Sequence, residues 1–225
     1  MKQVKKNTQH SLLHINKFTL FYIVSFLEGA AVMIGELAGA KLIAPFYGNS
    51  LYVWTSVLGT TLIGLASGYY LGGIVSKKYN KHKSLSLILC SSAVLFVTMP
   101  WLSTFIMETT ISLSVSAGSL ISSLVFIFPV LMCFGMVSPL IISIVSEHVK
   151  EVGNKAGTVY AISTLGGIIM TFVMGFYFIP YAGLKASALL GALMMLTATV
   201  MNIIGSRYLQ YVSTKMIISD PVIRD

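Results

Sequence analysis

Charged side chains are scarce in this sequence, and acidic ones are the scarcest. Charged residues make up 10% of the 225 positions, with seven Asp or Glu against fifteen Lys or Arg. Hydrophobic residues make up 56%, a composition that excludes an ordinary soluble domain and is typical of an integral membrane protein. The net charge of +8 therefore indicates lysines that set membrane topology in cytoplasmic loops, and no nucleic-acid partner is predicted.

Cysteine and the common catalytic motifs are also nearly absent. Cys90 and Cys133 both fall inside apolar stretches, so we expect free, packed thiols and no disulfide framework. No HExxH, CxxC or nucleophile-elbow motif occurs. The histidines fall in segments expected to be cytoplasmic and solvated, namely His10, His14, His82 and His148. The sequence thus predicts no enzyme active site, no metal site and no cofactor.

Six apolar stretches are long enough to cross a bilayer as helices, since about 20 helical residues suffice. The predicted spans are Phe18–Ile43, Leu51–Val75, Leu85–Ile106, Leu120–Val145, Thr158–Ile179 and Lys185–Ile204. They form one all-α transmembrane domain over residues 18–204, between polar tails at residues 1–17 and 205–225. Thirteen of the fifteen Lys and Arg residues lie in the tails and in the loops after the second and fourth spans. This bias predicts a multi-pass protein of the cell (inner) membrane with both termini cytoplasmic.

Prolines and small residues predict where the spans break and how they pack. Pro45 and Gly48 are expected to end the first span, and Pro129 and Pro139 to kink or break the fourth. Small residues recur at every fourth position in the second and fifth spans, which predicts close helix crossings. These two ladders are Gly64, Gly68 and Gly72, and then Ser163, Gly167, Thr171 and Gly175.

Two short segments indicate an internal repeat. GNSLYVWTSVLG at residues 48–59 is similar to GNKAGTVYAISTLG at residues 153–166. Each segment leads from a loop into the second helix of a set of three. Because three spans reverse the orientation of the next three, the pattern predicts a 3+3 inverted repeat of the transporter type.

An acidic residue lies near the middle of the first span. If the helix begins near Phe18, Glu28 lies about 15 Å along it, near the bilayer midplane, and Glu36 about 12 Å further. A charge in hydrocarbon costs at least roughly 2.5–3.5 kcal/mol, so such an acid must face protein or water. Glu28 can bind a cation or carry a proton, or it can be a neutral structural acid. Glu36 can equally lie at the outer interface.

Aromatic and hydroxyl side chains complete the predicted site. Tyr69, Tyr70 and Tyr160 can line a cavity and offer cation–π contacts, or they can simply pack. Ser138 precedes Pro139, where a helix irregularity can open onto a cavity. The predicted binding residues are Glu28, Glu36, Tyr69, Tyr70, Ser138 and Tyr160.

Several stretches together resemble a known family. They are LEGAAVMIGELAGAKLIAPFYGNSLYVWTSVLG (27–59), GYYLGG (68–73), GMVSP (135–139), YAISTLGG (160–167) and GFYFIP (175–180). In order and spacing they are similar to the six-helix membrane domain that precedes a spermidine-synthase-like (polyamine aminopropyltransferase) domain in many prokaryotic proteins. That membrane domain is itself similar to half of a major facilitator transporter. The chain departs from the transporter pattern after the second span, where Lys77 and Lys78 stand in place of an acidic residue.

The resemblance covers a membrane module and not a catalytic domain. Aminopropyl transfer needs a glycine-rich nucleotide loop and several acids, and the residues after Ile204 contain neither. The resemblance therefore implies a non-catalytic module that anchors, and supplies, a separate cytoplasmic aminopropyltransferase-like or methyltransferase-like enzyme in polyamine metabolism. The alternative is a small transporter of polyamine-like organic cations, working as a homodimer of two six-helix halves in the lipid bilayer.

Overall fold

The computed structural model describes the backbone of residues 2–146 and 149–219, and the side chains of residues 18–146 and 149–207. Within these residues every regular element is helical, as the sequence predicts. Seven α-helices follow one another: α1 (Lys2–Tyr47), α2 (Leu51–Lys78), α3 (Lys81–Thr110), α4 (Val115–Phe126), α5 (Phe128–Val145), α6 (Val152–Val173) and α7 (Ile179–Ser219). A 3₁₀ turn (Val149–Glu151) precedes α6, and a π-helical turn (Met174–Phe178) follows it.

Five helical stretches of the described chain are long and apolar enough to cross a membrane, which is the make-up of a multi-pass membrane protein. The last of them covers 59 residues, a length sufficient for two passes. Gly183 interrupts it with φ 81° and ψ 177°, a backbone conformation that glycine adopts without a steric penalty. The turn therefore lies where the sequence places the boundary between the fifth and sixth spans.

Only one of the three prolines expected to interrupt a span lies at a helix boundary. At Pro129 the fourth span is divided into α4 and α5, and the proline occupies the first turn of α5, where its missing N–H costs little. The break expected at Pro139 is wrong, because α5 continues through it to Val145. The break expected at Pro45 is also wrong: α1 runs on to Tyr47 and ends at Gly48, whose φ is 76°.

The helices are arranged around α1 and α5, which contact each other in the middle of the bundle. The α2 helix packs along α5, and α6 packs along α1, whereas α3 and α7 pack against each other. The two central helices also contact the α3–α7 pair, since α5 packs on α3 and α1 on α7. Among the described helices, α2 and α6 are not packed together along their length. They lie beside the central pair α1 and α5, and we call α2 and α6 the flanking walls.

Glycines allow the flanking walls, α2 and α6, to approach the central helices α5 and α1 closely. A side chain at Gly68 would collide with the carbonyl oxygen of Met132, and one at Gly72 would lie 2.7 Å from that of Met136. This confirms the close crossing predicted for the second span. On the other side, a side chain at Gly29 would collide with the backbone of Ser163. The predicted ladder of the fifth span is wrong at its end, since Gly175 has no neighbouring atom within 4 Å.

Candidate functional site

Glu28 lies in the protein interior, with 2% of its surface exposed. Its neighbour Gly29 has no side chain, so α1 and α6 approach closely at this level. The Ser163 hydroxyl on α6 consequently reaches the carboxyl group and donates a hydrogen bond to Glu28 Oε2 at 2.9 Å. The expectation that this acid faces protein agrees with its burial.

A second hydroxyl approaches the same carboxyl group from α5. Ser138 is 2% exposed and interacts with the Glu28 side chain. The carboxyl group is thus held between α1, α5 and α6 by hydroxyl groups. No cationic side chain among the described residues is paired with it. A buried carboxylate without a cation is costly, so this group favours a bound proton or a bound cation.

Two tyrosines from the flanking walls meet beside Glu28. The rings of Tyr69 on α2 and Tyr160 on α6 are 6.1 Å apart between centroids and 79° apart in orientation, an edge-to-face contact. Both side chains lie within electrostatic range of Glu28. Tyr69 is 38% exposed and Tyr160 40% exposed. The pair therefore spans the gap between α2 and α6 at the surface, and the carboxyl group lies behind it.

The close crossings fix the position of each tyrosine. Tyr69 follows Gly68, which contacts the backbone of α5 at Met132 and Gly135. Tyr160 precedes Ser163 by three residues and so lies on the same helix face, one turn away. Because each ring is close to a backbone–backbone contact, neither helix can shift without moving a tyrosine relative to Glu28.

The structure brings four of the six predicted binding residues together: Glu28, Ser138, Tyr69 and Tyr160. Glu36 is half-buried on α1, about 12 Å further along the helix than Glu28. It has no hydrogen-bond partner among the described side chains. Tyr70 is 73% exposed and points away from the bundle. Successive residues of a helix are separated by about 100°, so only one of the adjacent tyrosines can face Glu28.

Sequence reasoning assigned Ser163 only to a packing ladder, although it is the residue that donates a hydrogen bond to Glu28.

A second polar cluster was missed altogether. Asn202 is fully buried on α7, and its Nδ2 donates to the His82 carbonyl oxygen at 2.9 Å and to Ser86 Oγ at 2.8 Å. An amide inside a predicted span was the available signal. The cluster joins α7 to the start of α3.

The expectation of a solvated His82 is wrong. Its side chain is half-buried, with Nδ1 at 3.3 Å from Asn202 Oδ1 and the ring centroid at 5.8 Å from that of Phe21. Burying the ring against Phe21 and Asn202 ties α3 to α1 and α7. The side chains of His10, His14 and His148 lie outside the described residues.

Buried hydroxyl groups form a third polar cluster, at the opposite end of α3. Tyr47 donates to Thr110 at 2.8 Å, and Thr110 lies 3.1 Å from Ser122. Two further pairs join α2 to α4, Ser56 with Ser119 at 3.0 Å and Thr60 with Ser123 at 2.9 Å. We call this set the hydroxyl network. It attaches the short helix α4 to α1, α2 and α3.

The described side chains form no group of three or more His, Cys, Asp or Glu residues able to hold a metal ion. Both thiols are free, as expected, but the expectation that both are packed is wrong for Cys90, which is exposed, whereas Cys133 is half-buried. Comparison of the chain with known protein families, with curated proteins and with solved structures finds no match.

Proposed function

We propose that this protein is a transporter-like membrane protein that binds a small organic cation at Glu28. One observation supports the proposal most directly: Glu28 is only 2% exposed, and its carboxyl group has only hydroxyl partners in the described structure. A bound cation would balance its charge, and a proton would do so when the site is empty. The family resemblance suggests polyamine-like amines as the substrate class.

An inverted 3+3 repeat is the second part of the proposal, and the helix packing supports it. Exchanging α1 with the α4–α5 span, α2 with α6, and α3 with α7 converts the most extensive helix contacts into one another, although α1 also contacts α3 where α5 makes no comparable contact with α7. The contact of α2 with α5 becomes that of α6 with α1, and the contact of α3 with α5 becomes that of α7 with α1. Glu28 and Ser138 lie at the junction of the two sets of three, where transporters built this way bind their substrates.

The orientation in the membrane is also part of the proposal. Basic residues flank the turn between α2 and α3: Lys77 and Lys78 at the end of α2 and Lys83 in the first turn of α3 are exposed. Lys155, at the start of α6, lies 3.8 Å above the ring of Phe18 on α1, so the basic loops occupy one end of the bundle. We place this end in the cytoplasm of a cell whose inner membrane the helices cross.

Uptake into vesicles tests the transport proposal. Protein reconstituted in lipid vesicles is expected to take up labelled 1,4-diaminobutane, and Glu28→Gln is expected to abolish the uptake. Glu108→Gln is the control, because Glu108 is exposed near the end of α3 and belongs to no cluster described above. Equal uptake by the Glu28→Gln protein, with equal amounts of folded protein in the vesicles, would exclude the proposed role of Glu28.

A second function remains a candidate, the anchoring of a separate aminopropyltransferase-like or methyltransferase-like enzyme. The exposed lysines of the basic end favour it, since they offer an acidic cytoplasmic partner a complementary surface. Purification from native membranes in mild detergent is expected to recover such an enzyme. Replacing Lys77, Lys78 and Lys83 together by Gln should release it, and recovery of no cytoplasmic partner would count against anchoring.

A further inference from the structure

We propose that Tyr69 and Tyr160 form the subsite for a primary ammonium group, held between their rings and the carboxyl group of Glu28. This inference rests on the cation-binding role proposed above and specifies its chemistry. It assigns a recognition role to an aromatic pair that could otherwise be simple packing. The evidence comes from the separation of α2 and α6, from the ring geometry and from the ligands that the site offers.

The first step concerns the space between the walls. The α2 helix packs against α5 and the α6 helix against α1, and α2 and α6 are not packed along each other. At the level of Glu28, the edge contact of Tyr69 and Tyr160 bridges them. The glycine crossings hold the helices in place, so access to the carboxyl group would have to come from rotation of one of the two tyrosine side chains.

The second step concerns the rings themselves. In an edge-to-face pair, one ring uses its edge and the other uses one face, so the remaining faces are not covered by the partner ring. A cation binds over such a face within about 6 Å of the centroid. Tyr69 and Tyr160 are each more than one-third exposed, which leaves part of each side chain accessible from outside the bundle.

The third step concerns the class of cation. Calcium and magnesium ions take about six or more oxygen ligands, whereas only two hydroxyl groups, those of Ser138 and Ser163, are hydrogen-bonded to the single carboxyl group of this site. An alkylammonium group needs one negative partner and gains from aromatic faces. An ammonium group already lies over an aromatic ring elsewhere in this protein, since the ammonium nitrogen of Lys155 is 3.8 Å from the Phe18 ring centroid.

Calorimetric titration of the full chain in lipid nanodiscs tests the subsite, with n-butylammonium chloride as the probe and n-butanol as its uncharged counterpart. We expect the native protein to bind the ammonium compound and not the alcohol. Tyr69→Leu and Tyr160→Leu are each expected to weaken binding by about 3- to 30-fold, the range of a lost cation–π contact. Tyr69→Phe keeps the ring and is expected to stay within about twofold of the native affinity.

Tyr52→Leu is the matched control, because Tyr52 lies on α2 at the other end of the helix and is 64% exposed. It should bind as the native protein does. Thermal unfolding of each variant identifies a folding defect, and Tyr69→Phe keeps the test valid if a Leu variant fails to fold. Native affinity in both Leu variants would overturn the inference, and so would a fivefold loss in Tyr69→Phe.

Failure of this subsite is distinguishable from failure of the proposed function. Uptake that depends on Glu28 but is unchanged by Tyr69→Leu and Tyr160→Leu would leave transport in place and remove the subsite. Ammonium binding that depends on both tyrosines, without any uptake, would retain the subsite and exclude transport. Absence of n-butylammonium binding by the native protein would overturn the subsite directly.

Discussion

The Glu28 site and the hydroxyl network are both polar, buried and formed between helices, yet they differ in what they need. A hydroxyl group can donate one hydrogen bond and accept others, so serines and threonines can satisfy one another. Thr60 pairs with Ser123, and Ser56 pairs with Ser119. Ser56 and Ser123 also donate to backbone carbonyl oxygens of their own helices, so no ligand is needed to satisfy them. The hydroxyl network is thus complete as it stands.

A carboxylate only accepts hydrogen bonds, and it carries a charge that hydroxyl groups do not neutralise. Ser163 and Ser138 supply hydrogen bonds to Glu28, but a bound proton or a bound cation is still needed to balance the charge of the carboxylate. In the hydroxyl network every polar group is satisfied by protein partners, whereas the ionised Glu28 site needs a further positive partner, although both regions are buried. In a membrane bundle, the incomplete cluster is the one expected to bind something, and the complete cluster is expected to stabilise the fold.

The largest expected effect comes from breaking the α1–α6 crossing that positions the Glu28 site. Gly29→Ala adds a methyl group that would collide with the backbone of Ser163, so α1 and α6 must separate. Overpacking of this kind costs about 1–3 kcal/mol, which corresponds to a fall of about 2–10 °C in the unfolding midpoint. The Ser163–Glu28 hydrogen bond should break as well, and cation binding should weaken. Thermal unfolding and ammonium titration measure the two effects.

Gly73→Ala is the matched control, because no atom lies within 4 Å of the methyl group it would add. Alanine is favoured over glycine inside a helix by about 0.5–1 kcal/mol, so this variant should be as stable as the native protein or slightly more stable. Equal unfolding midpoints for the two variants would exclude a close approach of α1 and α6 at Gly29.

The outline of the bundle could be predicted from the sequence because it depends on local patterns. Apolar length located the membrane-spanning helices, and the spacing of Gly64, Gly68 and Gly72 predicted the close crossing made by α2. The turn at Gly183 followed from the break between two apolar stretches. Each of these features is determined by residues near one another in the chain.

The composition of the site depends on how helices are rotated against one another, which no local pattern reports. Tyr69 and Tyr70 are adjacent and equally aromatic, and the pairing of α2 with α5 decides that Tyr69 faces Glu28. Ser163 belongs to a run of small residues and becomes a hydrogen-bond donor only because Gly29 lets it approach. Pro139 does not end α5, which packs against α1, α2 and α3 and continues to Val145.

An intermediate effect is expected when the hydroxyl donor to Glu28 is removed. Ser163→Ala leaves the buried carboxyl group with the Ser138 hydroxyl as its described partner. Hydrogen bonds between membrane helices contribute about 0.6 kcal/mol on average and up to about 1.7 kcal/mol, and this bond to a carboxyl group should lie near the upper value. We expect a lower unfolding midpoint together with altered ammonium affinity, both measured on the same preparation.

Ser206→Ala serves as the comparison for that variant, because the Ser206 hydroxyl donates to the carbonyl oxygen of Ile203 in its own helix. Its removal should change neither the unfolding midpoint nor the affinity. If Ser163→Ala lowers stability and leaves ammonium binding unchanged, the hydrogen bond to Glu28 is structural only.

The smallest effect is expected in the hydroxyl network, where Thr60→Val removes a buried hydroxyl at nearly constant shape. Ser123 loses one partner but still donates to the carbonyl oxygen of Leu120 at 2.9 Å, so no polar group is orphaned. The cost should be about 0.6 kcal/mol, the average for a hydrogen bond between membrane helices. Ammonium binding and uptake should be unchanged, because the network is complete without a ligand. A loss of uptake in Thr60→Val protein of native stability would show that the network takes part in function, and the distinction between complete and incomplete polar clusters would then fail for this protein.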